Sequence, residues 1–239
     1  MKINVVTKCI RNVLPLRSCG AVIVAAGNAT RMDGVDKVMA QLGGESMIIR
    51  TVRAFQNCDV ISEIVIVTRQ DLIETIMESC SQFTKVRAVV AGGNTRQESV
   101  KRGIYALSKS AKLIAVHDGA RPLVTCEVID RVVRAANTYN AAIPAIPVKD
   151  TIKTVQGELV KSTPERDKLR AVQTPQVFDR DLLFAALRKA EVDFEMITDD
   201  SSAVERLKMS VKVVVGDERN LKVTTPIDLK IAELLLEDV

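Results

Sequence analysis

Two cations follow a turn of small residues near the start of the chain, in a pattern that could bind phosphate. The apolar run at 21–26 predicts a buried strand, which ends at the small-residue turn 27–30. Arg31 and Lys37 come next. Backbone amides in such a turn can approach an anion closely, and Arg and Lys add full positive charge. Taken alone, the segment fits a phosphate site or an ordinary strand-to-helix turn with solvated cations.

Two further predicted strands end in residues that could join this site. One runs into the Gly-Gly-Asn segment 92–94, and another runs into His117 and Asp118. Asp118 could bind Mg²⁺ or ribose hydroxyls, or could simply shape the turn. Arg121 could reach a phosphate, or could be a surface cation or a partner for Asp118. His117 is the only histidine, and we expect it to orient or pack rather than act as a base.

An alternation of strands and helices must position these loops. The predicted strands lie at 21–26, 63–68, 86–91, 113–116 and 141–148, and the predicted helices between them at 46–55, 71–80, 95–107 and 125–137. Repeated units of this kind predict an α/β fold, a Rossmann-like and mostly parallel sheet with helices on both faces. Ligands bind beyond the carboxyl ends of such strands, so the three loops should converge on one edge.

The alternation breaks after residue 149. Residues 150–155 alternate polar and apolar, a turn signal follows around Gly157, and 159–163 could return, which predicts a protruding hairpin arm at about 149–172. Pro144 and Pro147 place the strand before it near an edge or a bulge.

Two elements are predicted near the C-terminus. Residues 211–215 predict a short buried strand. A last helix should start at Thr225 and Pro226 and bury Ile227, Ile231, Leu234 and Leu235.

Composition limits the class of protein. A chain of 239 residues with 47% hydrophobic content fits one large α/β domain, here 20–239, after an N-terminal extension at 1–19. Few aromatic residues and a net charge of +4 without a basic run argue against nucleic-acid binding. No apolar run is long enough for a membrane span. Five scattered cysteines without a Cys-x-x-Cys pair indicate reduced thiols in a cytoplasmic protein.

Two common nucleotide-binding templates do not match the first loop. The glycine spacing after Gly27 is not G-x-G-x-x-G, because Ala29 stands two positions later, and the Walker pattern is also missing. These mismatches argue against a dinucleotide dehydrogenase and against a P-loop phosphatase or kinase. A single histidine also excludes metal sites that need several imidazoles.

The motifs taken together resemble those of the 2-C-methyl-D-erythritol 4-phosphate cytidylyltransferase family. The resemblance covers roughly residues 20–239, in the same order. It is carried by the segments 25–32, Lys37, 92–93, 117–122 (His-Asp-Gly-Ala-Arg-Pro), 174–176 (Thr-Pro-Gln), 198–200 (Thr-Asp-Asp) and 222–224 (Lys-Val-Thr). It implies transfer of a cytidylyl group from CTP to a polyol phosphate with Mg²⁺, in the non-mevalonate isoprenoid pathway.

The resemblance also implies roles for individual residues. It implies that Arg31, Lys37 and Lys222 are catalytic. It implies a CTP site that comprises Ala25, Ala26, Gly27, Gly93, Asn94, Ser99, Asp118 and Gly119, with Asp118 also touching Mg²⁺. It implies a polyol phosphate site that comprises Arg121, Thr151, Arg166, Thr174 and Thr198, in which the arm residues Thr151 and Arg166 act across a homodimer interface.

Several alternatives remain open from the residues. Thr198 could be a helix N-cap, Thr174 part of a turn, Arg166 a solvated cation and Lys222 an exposed strand residue. Ala29 and Asn94 stand where the family commonly has glycine and aspartate, and the segment 33–37 is short. A ribitol 5-phosphate cytidylyltransferase is the nearest rival function, and a non-catalytic nucleotide sensor is a rival from another class.

Overall fold

A computed structural model describes residues 15–27, 37–195 and 197–237. In chain order its elements are β1 (Cys19–Ala25), β2 (Gln41–Leu42), β3 (Glu45–Ser46), α1 (Met47–Gln56), β4 (Ile61–Thr68), α2 (Ile73–Ser79), β5 (Val86–Ala91), α3 (Arg96–Ala106), β6 (Leu113–Asp118), α4 (Cys126–Tyr139), β7 (Ala141–Pro147), β8 (Thr154–Gln156), β9 (Leu159–Ser162), β10 (Arg170–Val172), β11 (Gln176–Asp179), α5 (Arg180–Val192), α6 (Asp200–Arg206), β12 (Lys212–Val215) and α7 (Pro226–Glu237). Short 3₁₀ turns lie at Lys37–Met39, Gln70–Leu72 and Arg166–Lys168.

Eight strands form the central sheet, in the order β10-β7-β11-β6-β1-β4-β5, with β12 also paired to β7. The pairs β1–β4, β1–β6, β4–β5 and β7–β12 are parallel. The strands β10 and β11 run antiparallel to their neighbours. The predicted mostly parallel sheet is therefore confirmed.

Helices cover both faces of this sheet, because successive side chains of a strand point to opposite faces. On β1, Ile23 belongs to a buried cluster that includes residues of α1 and α4. Its neighbour Val22 belongs to a second cluster with residues of α3, α5 and α6. Both side chains are fully buried. The strand is thus apolar on both sides, as its unbroken apolar sequence predicts.

Strand register brings the predicted site loops to one edge. Val24 pairs with Asp118, Ala25 pairs with Thr68, and Thr68 pairs with Ala91. The strands β1, β5 and β6 therefore end level with one another, and their loops meet there. The approach is close: a Cβ added to Gly92 would lie 2.3 Å from the Cβ of Ala26. Glycine at position 92 is what lets the two loops touch.

The predicted hairpin arm is present. Strands β8 and β9 form a separate antiparallel two-stranded sheet. Gly157 turns between them with a φ of +62°, a conformation that favours glycine. All residues of both strands are exposed, including Val155, Leu159 and Val160.

Of the two predicted positions for β7, an edge or a bulge, the edge is wrong. It pairs with β12 on one side, and on the other side with β11 at 141–142 and β10 at 145–147. Pro144 is tolerated because the two partners on that side leave a gap opposite 143–144. Strand β12 is itself mostly exposed, not buried as predicted, and Val215 is 73% exposed.

The start of α7 is confirmed, but its buried face is not. The Asp228 carboxylate accepts bonds from the amides of Thr224 and Thr225, and the Asp228 amide donates to the Thr225 hydroxyl. The buried residue of the helix is Ala232, whereas Ile227, Ile231 and Leu234 are exposed. Helical spacing locates an apolar face, but it does not show which face meets the body of the protein.

The N-terminal boundary of the domain stays a prediction, because residues 1–14 lie outside the described residues. Arg17 is already part of the folded unit. Its guanidinium donates to Asp179 (Nη1–Oδ2, 2.8 Å) and to the side chain and carbonyl of Asn137.

Candidate active site

A cavity of about 530 Å³ opens at the edge where β1, β5 and β6 end. The residues predicted for the CTP site that line this cavity are Ala25, Ala26, Gly27, Gly93, Asn94, Ser99 and Asp118. Lys222, which is predicted to be catalytic, lines it as well. Gly119 does not line the cavity, and its amide donates to the carbonyl of Val24. The structure thus brings these residues together around one cavity.

A second cavity of about 500 Å³ adjoins the first. Three residues predicted for the polyol phosphate line it, namely Arg121, Thr174 and Thr198. Thr151 and Arg166 do not line it. Both are exposed on the arm segment, and Arg166 donates to the carbonyl of Lys149.

Asp118 stands where the two cavities meet, with cations around it. Its carboxylate lies 2.8 Å from Lys222 Nζ, 3.4 Å from Arg96 Nη2 and 3.8 Å from Arg121 Nε. Burial alone would raise the pKa of Asp118, but Lys222 and Arg96 hold it well below its usual range. Asp118 is therefore a fixed anion at neutral pH. Lys222 is exposed, but it does not lie on a strand, and it pairs with Asp118 at the boundary of the cavities.

His117 and Thr174 support Asp118 from beneath. The Asp118 amide donates to Thr174 Oγ1 at 3.1 Å, and that hydroxyl lies 3.0 Å from His117 Nδ1. His117 Nε2 lies 3.2 Å from the carbonyl of Arg121, which can only accept. The imidazole therefore carries its proton on Nε2, and Nδ1 accepts from Thr174. Burial lowers the pKa of His117 to about 4, so the ring is neutral, as its predicted orienting role requires.

The loop at 92–94 does not present free backbone amides, which phosphate-binding loops use to bind their ligand. Its three amides are all spent inside the protein, on the Thr68 carbonyl, the Ser99 hydroxyl and the Glu98 carboxylate. Amides that are already bonded cannot bind an anion. The loop at 92–94 can therefore shape the cavity and present acceptors, but its own amides are not available to an anion.

The segment 198–202 frames the second cavity. The N-cap of α6 is Asp199, whose carboxylate accepts from the Ser202 amide, so the alternative that Thr198 caps this helix is wrong. Gln176 on β11 donates to Asp199 and accepts from the Ser201 amide, which ties the segment to the sheet.

The sequence interpretation missed two charged residues of this site, Arg96 and Asp200. Arg96 lines both cavities and pairs with the fully buried Asp200 (Nη1–Oδ2, 2.6 Å). Burial would lower the pKa of Arg96, but Asp200 and Asp118 raise it. One signal could have found Arg96: it is the first residue of α3, and a cation there opposes the helix dipole.

Two predicted catalytic residues cannot be placed. Arg31 lies outside the described residues, and so does the side chain of Lys37, although its backbone begins a 3₁₀ turn. Within the described ranges, no group of three metal-ligating side chains is present. Within the same ranges, no helix is long and apolar enough to span a membrane.

The fold and the paired cavities define an α/β nucleotidyltransferase. The cavities lie beyond the carboxyl ends of parallel strands, where such sheets bind nucleotides. They share a fixed carboxylate and two cations, Arg96 and Lys222. The chain belongs to the IspD family of 2-C-methyl-D-erythritol 4-phosphate cytidylyltransferases, whose model matches residues 19–238.

Individual relatives agree with this assignment. A 2-C-methyl-D-erythritol 4-phosphate cytidylyltransferase from Caldanaerobacter subterraneus is 43% identical over 221 residues, which cover 90% of this chain and 97% of that protein. Another from Halalkalibacterium halodurans is 45% identical, with 91% and 96% covered.

Solved structures agree as well. The crystal structure of a 4-diphosphocytidyl-2C-methyl-D-erythritol synthase from Anaerococcus prevotii superposes with a TM-score of 0.84 at 32% identity, with 92% of this chain and 96% of that chain covered. The cytidylyltransferase from Thermus thermophilus gives 0.77 at 31% identity, with 92% and 99% covered. The family resemblance seen in the sequence is thereby confirmed.

Proposed function

We propose that this protein transfers a cytidylyl group from CTP to 2-C-methyl-D-erythritol 4-phosphate, which gives 4-diphosphocytidyl-2-C-methyl-D-erythritol and pyrophosphate in the non-mevalonate isoprenoid pathway. Family membership over 19–238 supports the reaction. The observation that carries it is the pair of adjoining cavities that share Asp118, Arg96 and Lys222. A reaction that joins two phosphorylated substrates needs two sites with a common charged boundary.

The chemistry requires charge neutralisation more than a base. The attacking phosphate is already an anion, so no side chain needs to remove a proton from it. The obstacle is repulsion between two anionic substrates, which fixed cations can offset. Lys222 suits this role because its side chain is 45% exposed and its ammonium lies at the shared boundary. We assign Arg31 and Lys37 to the triphosphate, where they would stabilise charge on the α-phosphoryl group.

We propose that Mg²⁺ accompanies the triphosphate. Mg²⁺ usually keeps several waters and binds through one or two carboxylates together with substrate phosphates. Asp118 fits, because it is ionised and is the one carboxylate among the described residues that line the nucleotide cavity. The ion would supply charge neutralisation on phosphate oxygens. Asp118 itself would hold ribose and the ion in place, and Lys222 would turn from Asp118 toward the phosphates.

The first cavity is proposed to bind the nucleoside. Backbone at Ala25, Ala26 and Gly93 would contact cytosine, with Asn94 nearby. Ser99 would act through the loop, because its hydroxyl accepts from the Gly93 amide and donates to the Thr95 carbonyl.

The second cavity is proposed to bind the polyol phosphate. Arg121 and Thr198 line it. Thr174 would act mainly through Asp118, because its hydroxyl is engaged on both sides. The remaining part of the site would come from Thr151 and Arg166 of a second copy of the chain.

We therefore propose a homodimer that forms through the arm. The arm residues Val155, Leu159 and Val160 are 61–77% exposed, which is costly for apolar side chains in an isolated chain. Exposed valines on β10 and β12, at positions 172, 213 and 215, extend the apolar surface of that end of the sheet. We also propose a cytoplasmic location, consistent with the free thiols of Cys19, Cys58, Cys80 and Cys126.

Measurement of pyrophosphate release tests this function. The purified protein is incubated with Mg²⁺, each of four nucleoside triphosphates and a panel of polyol phosphates. We expect release with CTP and 2-C-methyl-D-erythritol 4-phosphate. Release with ribitol 5-phosphate alone would move the assignment to that rival, and CTP binding without release from any acceptor would favour the nucleotide sensor.

A further inference from the structure

Arg96 lies at the boundary of the two cavities but has no assigned role in the proposed reaction. Among the described residues, the two cavities share three side chains, and these are Arg96, Asp118 and Lys222. The shared boundary is where the α-phosphate of one substrate must meet the phosphate of the other. A cation at this place is within reach of the reacting groups of both substrates.

The guanidinium of Arg96 is held from one side and open on the other. Nη1 pairs with Asp200 at 2.6 Å, and Nη2 makes a longer contact with Asp118 at 3.4 Å. The side chain remains 31% exposed, while that of Asp200 is wholly buried. The planar guanidinium has five N–H donors, so two carboxylates leave donors available for a phosphate.

Among the described residues, the Asp200 side chain forms an ion pair with Arg96. One of its oxygens pairs with Arg96, and the other, Oδ1, is buried with no hydrogen-bond partner in the described structure. A buried carboxylate oxygen without a partner is destabilising, and a role in the site is one explanation for such a group. Gln176 fixes the segment around Asp200 by accepting from the Ser201 amide.

We propose that Arg96 binds the phosphate groups at the junction of the two substrates, and that Asp200 is the positioning residue that holds its guanidinium there. Arg96 gives up the longer contact with Asp118 when phosphate arrives and keeps the shorter one with Asp200. It thus remains a preorganised positive charge, in contrast to Lys222, whose flexible chain must turn. This inference deepens the proposed transfer reaction and rests on it.

Steady-state kinetics of four variants test the inference. Arg96→Lys keeps the positive charge but loses the planar set of guanidinium donors. We expect kcat to fall by about 10²-fold, as for other preorganised donors, with a smaller change in KM for CTP. Asp200→Asn keeps an acceptor but loses the charge, and we expect a fall of about tenfold. Arg96→Ala leaves a buried unpaired carboxylate and could fail to fold. The double variant Arg96→Ala/Asp200→Asn removes that charge and carries the test in that case.

Comparison of single and double variants at positions 96 and 200 shows whether Asp200 positions Arg96 or only stabilises the fold. If Asp200 acts only through Arg96, its replacement has little further effect once Arg96 is gone. Arg96→Ala and Arg96→Ala/Asp200→Asn should then differ by less than about threefold in kcat/KM. If Arg96→Ala does not fold, Arg96→Lys with and without Asp200→Asn gives the same comparison. Effects that multiply, or changes below about threefold in kcat for both Arg96→Lys and the double variant, would overturn the inference.

A matched control and a binding measurement complete the design. Arg134 pairs with Asp130 on the exposed side of α4, away from both cavities, and Arg134→Ala should leave kinetics unchanged. The rise in melting temperature with inorganic pyrophosphate is measured for every variant and should shrink for those at Arg96. If the wild type releases no pyrophosphate but this rise still depends on Arg96, the reaction is wrong and the phosphate site is right. If the wild type releases pyrophosphate from substrates and the rise in melting temperature is the same in the Arg96 variants, only the proposed role of Arg96 is wrong.

Discussion

The edge of the sheet and the arm are built in opposite ways. At the edge, strand register brings Asp118 together with the loops after β1 and β5. The Val223 amide donates to the carbonyl of Ala120 and so holds Lys222 beside Asp118. On the arm, Thr151 and Arg166 are exposed and line neither cavity. One region is completed by its own chain. The other carries predicted substrate-binding residues that a second chain would bring to the pocket in the proposed homodimer.

Lys222→Ala should give the largest effect, because it removes a cation from the boundary between the cavities. We expect kcat to fall by about 10²–10³-fold, the usual loss for one preorganised charge-stabilising group. The measurement is pyrophosphate release at saturating CTP and polyol phosphate. A fall below about threefold would contradict the role of Lys222 and the importance of the edge.

Arg166→Ala tests the arm with a different kinetic signature. Loss of a charge-assisted contact should raise KM for the polyol phosphate by about 10–100-fold and leave KM for CTP unchanged. Lys168→Ala is a matched control, because this neighbouring cation pairs only with exposed Glu165. A rise in KM for both substrates, or for neither, would show that the arm does not serve the second cavity.

Acidification should lower the free energy of unfolding because His117, which lies beneath Asp118, is buried in its neutral form. Its pKa is lowered to about 4 in the folded protein, below the ordinary value of 6.5, so the unfolded chain takes up the proton first. The stability from neutral His117 is present above pH 6.5 and is lost as the pH falls toward 4. Between pH 6.5 and 5 we expect a loss of about 2 kcal/mol in the free energy of unfolding.

The variant His117→Gln isolates this titration. The protein has one histidine, so the variant lacks this titration. The free energy of unfolding is measured with denaturant over pH 5–7, and the loss between pH 6.5 and 5 should be larger for the wild type by that amount. Parallel curves for the two proteins would show that His117 is not buried and neutral.

Two glycine variants give the smallest and most local comparison. Gly92→Ala would place a Cβ 2.3 Å from that of Ala26, so we expect a loss of about 1–3 kcal/mol in stability and weaker CTP binding. Gly157→Ala on the arm meets nothing within 4 Å and is strained only by its φ of +62°. We expect about 1 kcal/mol there and unchanged CTP binding. Equal losses of CTP binding in the two variants would contradict the separation of the regions.

Much of this organisation follows from local sequence. Unbroken apolar strands, helical periodicity and the Gly157 turn predict the sheet and the arm, and the polar residues after three strands predict the nucleotide cavity. The errors concern what a strand or helix meets in space. Strand β12 and the Ile227 face of α7 are apolar yet exposed, because periodicity does not name the neighbour.

The site shows the same limit. Asp118 and Lys222 were predicted from motifs, whereas the contact between Arg96 and Asp200 joins residues 104 positions apart. No local pattern links them, and the pair becomes visible only when α3 and α6 are placed on the same face of the sheet. Thr174 was predicted as a ligand, and its contacts with His117 and the Asp118 amide give it a supporting role that the sequence could not reveal.

Complementation between two impaired variants tests most directly whether the arm of one chain completes the cavity of another. Lys222→Ala and Arg166→Ala are purified separately, mixed and allowed to exchange subunits. Pyrophosphate release from CTP is then assayed at a concentration of 2-C-methyl-D-erythritol 4-phosphate far below the KM of Arg166→Ala, where each variant alone has little activity. In a mixed dimer one site would have both residues intact, so random exchange should restore about one quarter of wild-type activity. No recovery after exchange that is confirmed by mass would mean that the arm does not act in the site of its partner.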